Sequence, residues 1–205
     1  MSLGDLLQVM LAFGVVCVSP GPANLALAAR AMAQGRRAAL PMAAGLALGL
    51  ALWGVAAATG LGAVLAGSAA ALGALKVVGA CYLGWLALGA AQGAARRDGP
   101  EAPVAGRMGG FRTGLLLNLS NPKAVLAWMA ALSMGLSPEV GAGAVRGATA
   151  VCALIGVANY LLWALVFSAG GAMAFYARAR RGVEAGCAAL FSLAAFGLLR
   201  SAFAR

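Results

Sequence analysis

The fold is decided by residues 6–29, which read LLQVMLAFGVVCVSPGPANLALAA and carry no charge. A membrane-spanning helix needs about 20 consecutive apolar residues, and this stretch supplies them. Pro20 and Pro22 interrupt it, because proline removes a backbone donor and clashes with the preceding turn. In lipid the freed carbonyls need partners, so such a break persists only against protein or a water-filled cavity. We therefore expect a broken membrane helix that lines a cavity.

A second break is predicted in the other half of the chain. The apolar stretch from about 113 to 135 contains Asn118-Leu-Ser-Asn121-Pro122-Lys123. A cation at the bilayer centre costs about 2.5–3.5 kcal/mol on insertion scales. Lys123 lies roughly 15 Å from either end of this span by helix rise, too far for its side chain to reach an interface. We expect its ammonium group to face a cavity, the carbonyls of a break or an anionic ligand.

Composition excludes several classes of protein. The chain has 205 residues, of which 63% are apolar and only 10% are charged, so a soluble domain, a disordered chain and a nucleic-acid-binding domain are not expected. The net charge of +10 comes from short basic clusters between apolar runs, as in loops at a membrane surface. The five acids are expected at helix ends or in loops, and no carboxylate is expected deep in the membrane: Asp5, Asp98, Glu101, Glu139 and Glu184.

Enzymatic, metal and cofactor chemistry find little support in the sequence. Histidine is absent, and the four cysteines stand alone without a CxxC spacing. No GxxxxGK[ST] phosphate-binding loop occurs, which argues against an ATP-driven pump. The chain is therefore not expected to be an enzyme, and neither a metal site nor a cofactor is predicted.

Hydropathy predicts an all-α integral membrane protein with six transmembrane helices. A cleavable signal peptide would need a basic start, whereas residues 1–5 carry only Asp5, which favours a retained first helix. The polar segment 93–112 divides the chain into two three-helix halves, 1–92 and 113–205, and an odd number of crossings in each half predicts inverted repeats. The predicted helices are 6–29, 39–65, 69–92, 113–135, most of 147–177 closed by Arg178, Arg180 and Arg181, and 183–203.

The distribution of basic residues predicts orientation. Ten Lys and Arg residues lie in the loops of one side and three on the other. Because loops rich in Lys and Arg stay cytoplasmic, both termini are predicted outside and segment 93–112 inside.

The candidate binding residues gather at the two breaks, where carbonyls and half-helix N-termini are available to a ligand. Lys76 is the weakest of them, because it lies about seven residues into its helix and could snorkel to the interface. The hydroxyl of Tyr82 and the pair Asn159-Tyr160 are expected to form interhelical hydrogen bonds. Close helix contacts are expected at three pairs of small residues: Gly45/Gly49, Gly89/Gly93 and Gly182/Gly186. The candidate site consists of Pro20, Gly21, Pro22, Asn24, Lys76, Asn118, Asn121, Pro122 and Lys123.

Several of these motifs resemble one family. Ser-Pro-Gly-Pro-Ala-Asn at 19–24, followed by Gly35-Arg-Arg and Gly45-xxx-Gly49, is similar to the first two helices of the LysE/RhtB amino-acid exporters. Residues 75–84 resemble the third helix of that family, and residues 111–124 resemble the fourth. The aromatic pair often seen after the Asn-Pro-Lys motif is here Ala127-Trp128, a departure that leaves substrate specificity open.

The resemblance implies a secondary transporter of the bacterial inner membrane that exports small amino acids from the cytoplasm, driven by the proton gradient. The expected partners are the lipid bilayer, a free amino acid and protons, and a homo-oligomer is left open. Neutral substrates are expected over basic ones, because a cationic side chain would need a buried carboxylate. A non-transporting membrane scaffold or subunit of a larger complex is the alternative, although it would need neither paired helix breaks nor a midplane lysine.

Overall fold

The computed structural model describes residues 2–67, 69–96, 110–135 and 140–203, and all regular structure within them is α-helical. The all-α class is therefore confirmed. Predictions that fall on 97–109 and 136–139, including most of the linker 93–112 and Glu139, lie outside the described residues. The helices are α1 Leu3–Val18, α2 Pro22–Gly67, α3 Ala69–Ala95, α4 Phe111–Leu119, α5 Pro122–Gly135, α6 Ala142–Val166 and α7 Ala172–Phe203.

The first predicted break separates α1 from α2. α1 begins in a capping box, in which the Ser2 hydroxyl accepts from the Asp5 amide and the Asp5 carboxylate accepts from the Ser2 amide. It ends at Val18, and α2 begins at Pro22, a first-turn position where the missing N–H costs nothing. α2 is itself interrupted at Gly35, whose φ of 75° and ψ of 174° are not helical. This division falls in the basic loop predicted between the first two helices.

The second predicted break separates α4 from α5, and the two half-helices meet at a bend of 60°. Leu119 is the last residue of α4 and Pro122 the first of α5. The Trp53 indole donates to the Leu119 carbonyl at 3.3 Å, and the Ser120 hydroxyl donates to the Leu116 carbonyl at 2.8 Å. Carbonyls freed by the break are therefore satisfied by protein groups. Both helix breaks predicted from proline are confirmed.

The boundary between the last two helices differs from the prediction. The chain turns at 167–171 rather than at the basic cluster, and Gly171 adopts a φ of 83° that favours glycine. The three arginines expected to close the fifth helix lie within α7. Arg180 donates to the Arg96 carbonyl at 3.0 Å and Arg181 to the Ala94 carbonyl at 3.2 Å. The cations thus cap the C-terminal end of α3, where the helix dipole favours positive charge.

Helix packing brings the two halves of the chain together. α3 packs along α7, α2 packs against α4 and α6, and α1 packs against α5 and α6. Glycines permit the closest approach: a Cβ at Gly45 would overlap the Phe111 carbonyl, and one at Gly114 would overlap the Met42 carbonyl. The predicted contact at Gly45/Gly49 is confirmed. In contrast, a Cβ at Gly89, Gly182 or Gly186 would meet nothing within 4 Å in the described part of the chain.

The outer faces of the helices are apolar. Leu11, Leu88, Leu154 and Leu193 on four different helices are each 65–68% exposed. Apolar side chains in such number on the outside match a lipid environment. Among the described residues, four helices are long and apolar enough to cross a membrane, or five if the bent pair α4–α5 is one span, and α1 is a shorter apolar helix. The chain is a multi-pass membrane protein.

Candidate functional site

Lys123 reaches from the second break to the first. It is the second residue of α5, and its ammonium group donates to the Ser19 hydroxyl at 2.6 Å and to the Ser19 carbonyl at 3.1 Å. The Pro20 carbonyl lies 3.5 Å away. Of the three surroundings expected for this ammonium group, a cavity, break carbonyls or an anionic ligand, the structure shows break carbonyls. Gly21 gives the lysine room, since a Cβ there would lie 3.0 Å from Nζ.

Asparagines hold the first break in place. The Asn24 amide, in the first turn of α2, donates to the Cys17 carbonyl at 2.7 Å and to the Ser19 carbonyl at 3.1 Å. Asn159 on α6 donates to the Asn24 side-chain oxygen at 3.2 Å. Carbonyls at the end of α1 are thus occupied by Asn24 and Lys123, and α6 is tied to the break.

The second break has its own polar contacts. The Asn121 side-chain oxygen accepts from the Lys123 amide at 3.1 Å, and the Tyr82 hydroxyl of α3 donates to the Lys123 carbonyl at 3.4 Å. Asn118 is fully buried and donates to the Tyr160 hydroxyl at 2.7 Å. The interhelical hydrogen bonds expected of Tyr82, Asn159 and Tyr160 are confirmed.

A cavity of about 520 Å³ lies where the two breaks meet. This volume is within the usual range for small-molecule sites. The cavity wall carries one lysine and one glutamate among mostly apolar and aromatic residues. Its lining comprises Ser19, Pro20, Gly21, Pro22, Tyr82, Trp85, Leu86, Gly89, Ala90, Asn121, Pro122, Lys123, Leu126, Glu184 and Phe191.

A much smaller cavity of about 30 Å³ lies against Lys123, Asn24, Asn121 and Tyr160. It has room for about one water molecule, for which several polar partners are present. Lys123 therefore lies between a cavity large enough for a small metabolite and a second cavity of about the size of a water molecule.

Glu184 corrects the expectation that all five acids lie at helix ends or in loops. It lies in the second quarter of α7 and is 8% exposed, because the turn at 167–171 places this residue inside a helix rather than at its start. Its Oε1 atom is 3.5 Å from the Arg180 guanidinium. Its Oε2 atom is buried and has no hydrogen-bond partner among the described residues. A buried carboxylate therefore faces the same cavity as Lys123.

Comparison with known proteins identifies the family. The family model for the LysE type translocator matches residues 14–202. The chain belongs to the LysE family. The resemblance drawn from the motifs is thereby confirmed.

The proteins similar to this LysE-type chain that follow come from bacteria. A threonine efflux protein of Salmonella typhimurium is 29% identical over 189 residues, which cover 90% of this chain and 91% of that protein. A threonine efflux protein of Escherichia coli is 28% identical over 191 residues, with the same coverage. An uncharacterised membrane protein of Pseudomonas aeruginosa is 30% identical over 185 residues, or 86% of each chain. No solved structure matches the LysE-type chain at a significant level.

The candidate residues of this LysE-type translocator separate into three groups. Pro20, Gly21, Pro22, Asn121, Pro122 and Lys123 line the larger cavity. Asn24 lines the smaller cavity, and Asn118 lines neither cavity but ties α4 to α6. Lys76 is partly buried on α3 and lines neither of these two cavities, so its role stays a prediction from sequence.

Sequence reasoning missed Glu184 and the wall provided by Trp85 and Phe191. A signal for Glu184 was present, because Arg180 and Glu184 are spaced i, i+4 and would pair on one helix. The aromatic residues carry no comparable signal, since an aromatic residue in an apolar helix faces lipid, core or cavity equally well.

Proposed function

We propose that this LysE-type chain exports small neutral amino acids from the cytoplasm and that Lys123 binds the substrate carboxylate. The observation that carries the proposal is the Lys123 ammonium group in the wall of a 520 Å³ cavity, at the junction of two helix breaks. The names of the bacterial relatives, which are threonine efflux proteins, support an amino-acid substrate.

The contacts of Lys123 suggest how the carboxylate enters. The ammonium group is held by the Ser19 hydroxyl and by neutral carbonyls. A carboxylate would replace some of these acceptors by a charge-assisted hydrogen bond, which is roughly twice as strong as a neutral one. Substrate binding would therefore weaken the contact between Lys123 and Ser19 that joins the two breaks. Without that contact, α5 could move relative to α1.

The remaining candidate residues would act on the shape of the site. Pro20, Gly21, Pro22, Asn121 and Pro122 would form the wall beside the substrate. Asn24 and Asn118 would hold the breaks in position through the hydrogen bonds described above. The apolar and aromatic remainder of the wall favours a small substrate with a neutral side chain.

Coupling to the proton gradient is part of the proposal, although Lys123 alone would not provide it. A lysine that is protonated when substrate enters and loses its proton after release outside would carry that proton outward with the substrate. Proton antiport requires an inward proton on another group. We therefore assign Lys123 to carboxylate binding rather than to proton transfer.

The proposed architecture is six membrane crossings in two inverted repeats, 1–92 and 113–205, joined by segment 93–112. The breaks occupy corresponding places, since each follows the first helix of its half. Contacts between α2 and α6 and between α3 and α7 support this arrangement, because each pair consists of helices in corresponding positions. The excess of basic residues on one side supports both termini outside, in the inner membrane of a bacterium.

The proposal is tested by feeding cells dipeptides, which deliver one amino acid at a time inside the cell. A strain that expresses the protein should release threonine or another small neutral amino acid faster than a strain with an empty vector. Faster release of arginine or lysine than of any neutral amino acid would contradict the substrate class. Equal release by both strains for every dipeptide would favour the scaffold alternative.

A further inference from the structure

We propose that Glu184 binds the α-ammonium group of the amino acid whose carboxylate Lys123 binds. The inference rests on the proposed function and names the second charged group of the same site. Both residues line the 520 Å³ cavity, one from α7 and the other from α5. The wall thus carries one cation and one anion, which are the two charges of a zwitterion.

The carboxylate of Glu184 has an unused acceptor. Its side chain is nine-tenths buried, and Oε2 has no hydrogen-bond partner within the described chain. Leaving a charged acceptor buried without a donor is costly, more so than for a neutral group. An ammonium group in the cavity would supply the missing donors.

Arg180 does not donate to Oε2, because it approaches Oε1 of the same carboxylate. The Arg180–Glu184 contact is 3.5 Å to Oε1, longer than the 2.7–2.9 Å typical of a charge-assisted hydrogen bond. Arg180 is itself held by the Arg96 carbonyl at the end of α3. The arginine therefore fixes the carboxylate against α3 and leaves Oε2 for a ligand.

Gly93 on α3 makes room for this carboxylate. A Cβ at this position would overlap Oε2 of Glu184 and would lie 2.8 Å from its Cδ. Gly89 and Ala90, about one turn earlier on the same helix, line the cavity. The position of the carboxylate thus depends on a glycine in the neighbouring helix.

The alternative acceptors for an ammonium group are the carbonyls of the first break, and these are already occupied. The Cys17 carbonyl accepts from Asn24, and the Ser19 carbonyl accepts from both Asn24 and Lys123. Lys123 also places a positive charge beside them, which repels an ammonium group. Glu184 is the cavity residue whose charge attracts it.

The test compares threonine with 2,3-dihydroxybutanoate, in which a hydroxyl replaces the ammonium group. Binding to the purified full chain in lipid nanodiscs is measured by competition against radiolabelled threonine. Wild type should bind threonine roughly tenfold or more tightly than the hydroxy acid, the size expected for a hydrogen bond to a charged group. Glu184→Gln should lower the affinity for threonine by about the same factor and should leave the affinity for the hydroxy acid nearly unchanged.

Two glycine variants test the assignment without removing the carboxylate. Gly93→Ala should displace Glu184 and reduce the preference for threonine over the hydroxy acid. Gly84→Ala is the matched control on the same helix, where a Cβ would meet nothing within 4 Å of described atoms. It should keep the wild-type preference. If Glu184→Gln does not fold, this pair decides the question.

The inference is overturned if wild type does not distinguish threonine from the hydroxy acid, or if Glu184→Gln or Gly93→Ala retains the full preference. Such results together with normal threonine export would leave the proposed function intact. Failure of wild type to export any amino acid in the dipeptide experiment would instead remove the proposed function.

Discussion

Lys123 Nζ lies 2.6 Å from the Ser19 hydroxyl oxygen, although the two residues are 104 positions apart in the chain. One side chain thereby joins the helix break of the first half to that of the second. A ligand that draws the lysine away from Ser19 would loosen this junction. In the proposed site, substrate binding at Lys123 would therefore be coupled to the relative position of the two halves.

A side chain at position 21 should disturb the junction. In Gly21→Val the new Cβ would lie 3.0 Å from Lys123 Nζ and 3.2 Å from Cδ, so the lysine would have to move. Loss of one hydrogen bond to a charged group should raise the threonine concentration for half-maximal export by roughly tenfold. Gly147→Val on α6 is the control, because a Cβ there meets open space in the described structure. Equal export by the two variants would show that the position of Lys123 is not critical.

Close packing of α2 on α4 should contribute to the thermal stability of the protein. A Cβ in Gly45→Ala would overlap the Phe111 carbonyl, which is backbone and cannot rotate away. Overpacking of this kind costs about 1–3 kcal/mol, so the midpoint of thermal unfolding in detergent should fall. Gly84→Ala should leave the midpoint unchanged. A midpoint for Gly45→Ala equal to that of wild type would contradict the close contact between these helices.

The buried hydrogen bond between Asn118 and Tyr160 should appear as coupling in a double-mutant cycle. Tyr160→Phe leaves the buried Asn118 amide without its partner at 2.7 Å, whereas Asn118→Leu removes the amide itself. We expect a coupling free energy of about 0.6 kcal/mol and at most about 1.7 kcal/mol, the average and the maximum found for hydrogen bonds between membrane helices. Additive effects on the free energy of unfolding would mean that the two side chains do not interact.

Local features of the fold were predictable from sequence because proline acts locally. Pro22 and Pro122 each begin a half-helix, as their missing N–H requires. Lys123 was predictable for another local reason, since a cation in the middle of an apolar helix must find acceptors. The acceptors themselves, Ser19 and Pro20, were not named from sequence, which left a cavity, the carbonyls of a break and an anionic ligand open.

Features that depend on how helices face one another were not predictable. The cluster Arg178, Arg180 and Arg181 has the composition of a loop, yet the chain turns earlier, at Gly171, and Arg180 and Arg181 cap the end of α3. This shift carries Glu184 into the cavity. Lys76 could not be placed either, because sequence does not show which face of α3 meets α5.

The predicted orientation is tested by labelling single cysteines from outside the cell. The four native cysteines are replaced first, and one cysteine is then introduced at Pro100 or at Phe203. Because basic loops stay cytoplasmic, a membrane-impermeant maleimide should label position 203 in intact cells and position 100 only after lysis. Labelling of position 100 but not 203 in intact cells would reverse the orientation.

Export by Lys123→Met tests the central claim most directly. The substitution keeps most of the length of the side chain and removes the charge, so the protein should insert normally. In dipeptide-fed cells we expect its release of threonine to fall to the empty-vector level. Lys123→Arg should be partly active at best, because the guanidinium keeps the charge but changes its geometry. Arg200→Met, which removes a cation from an exposed position on α7, should export like wild type. Wild-type export by Lys123→Met at equal abundance would contradict the account.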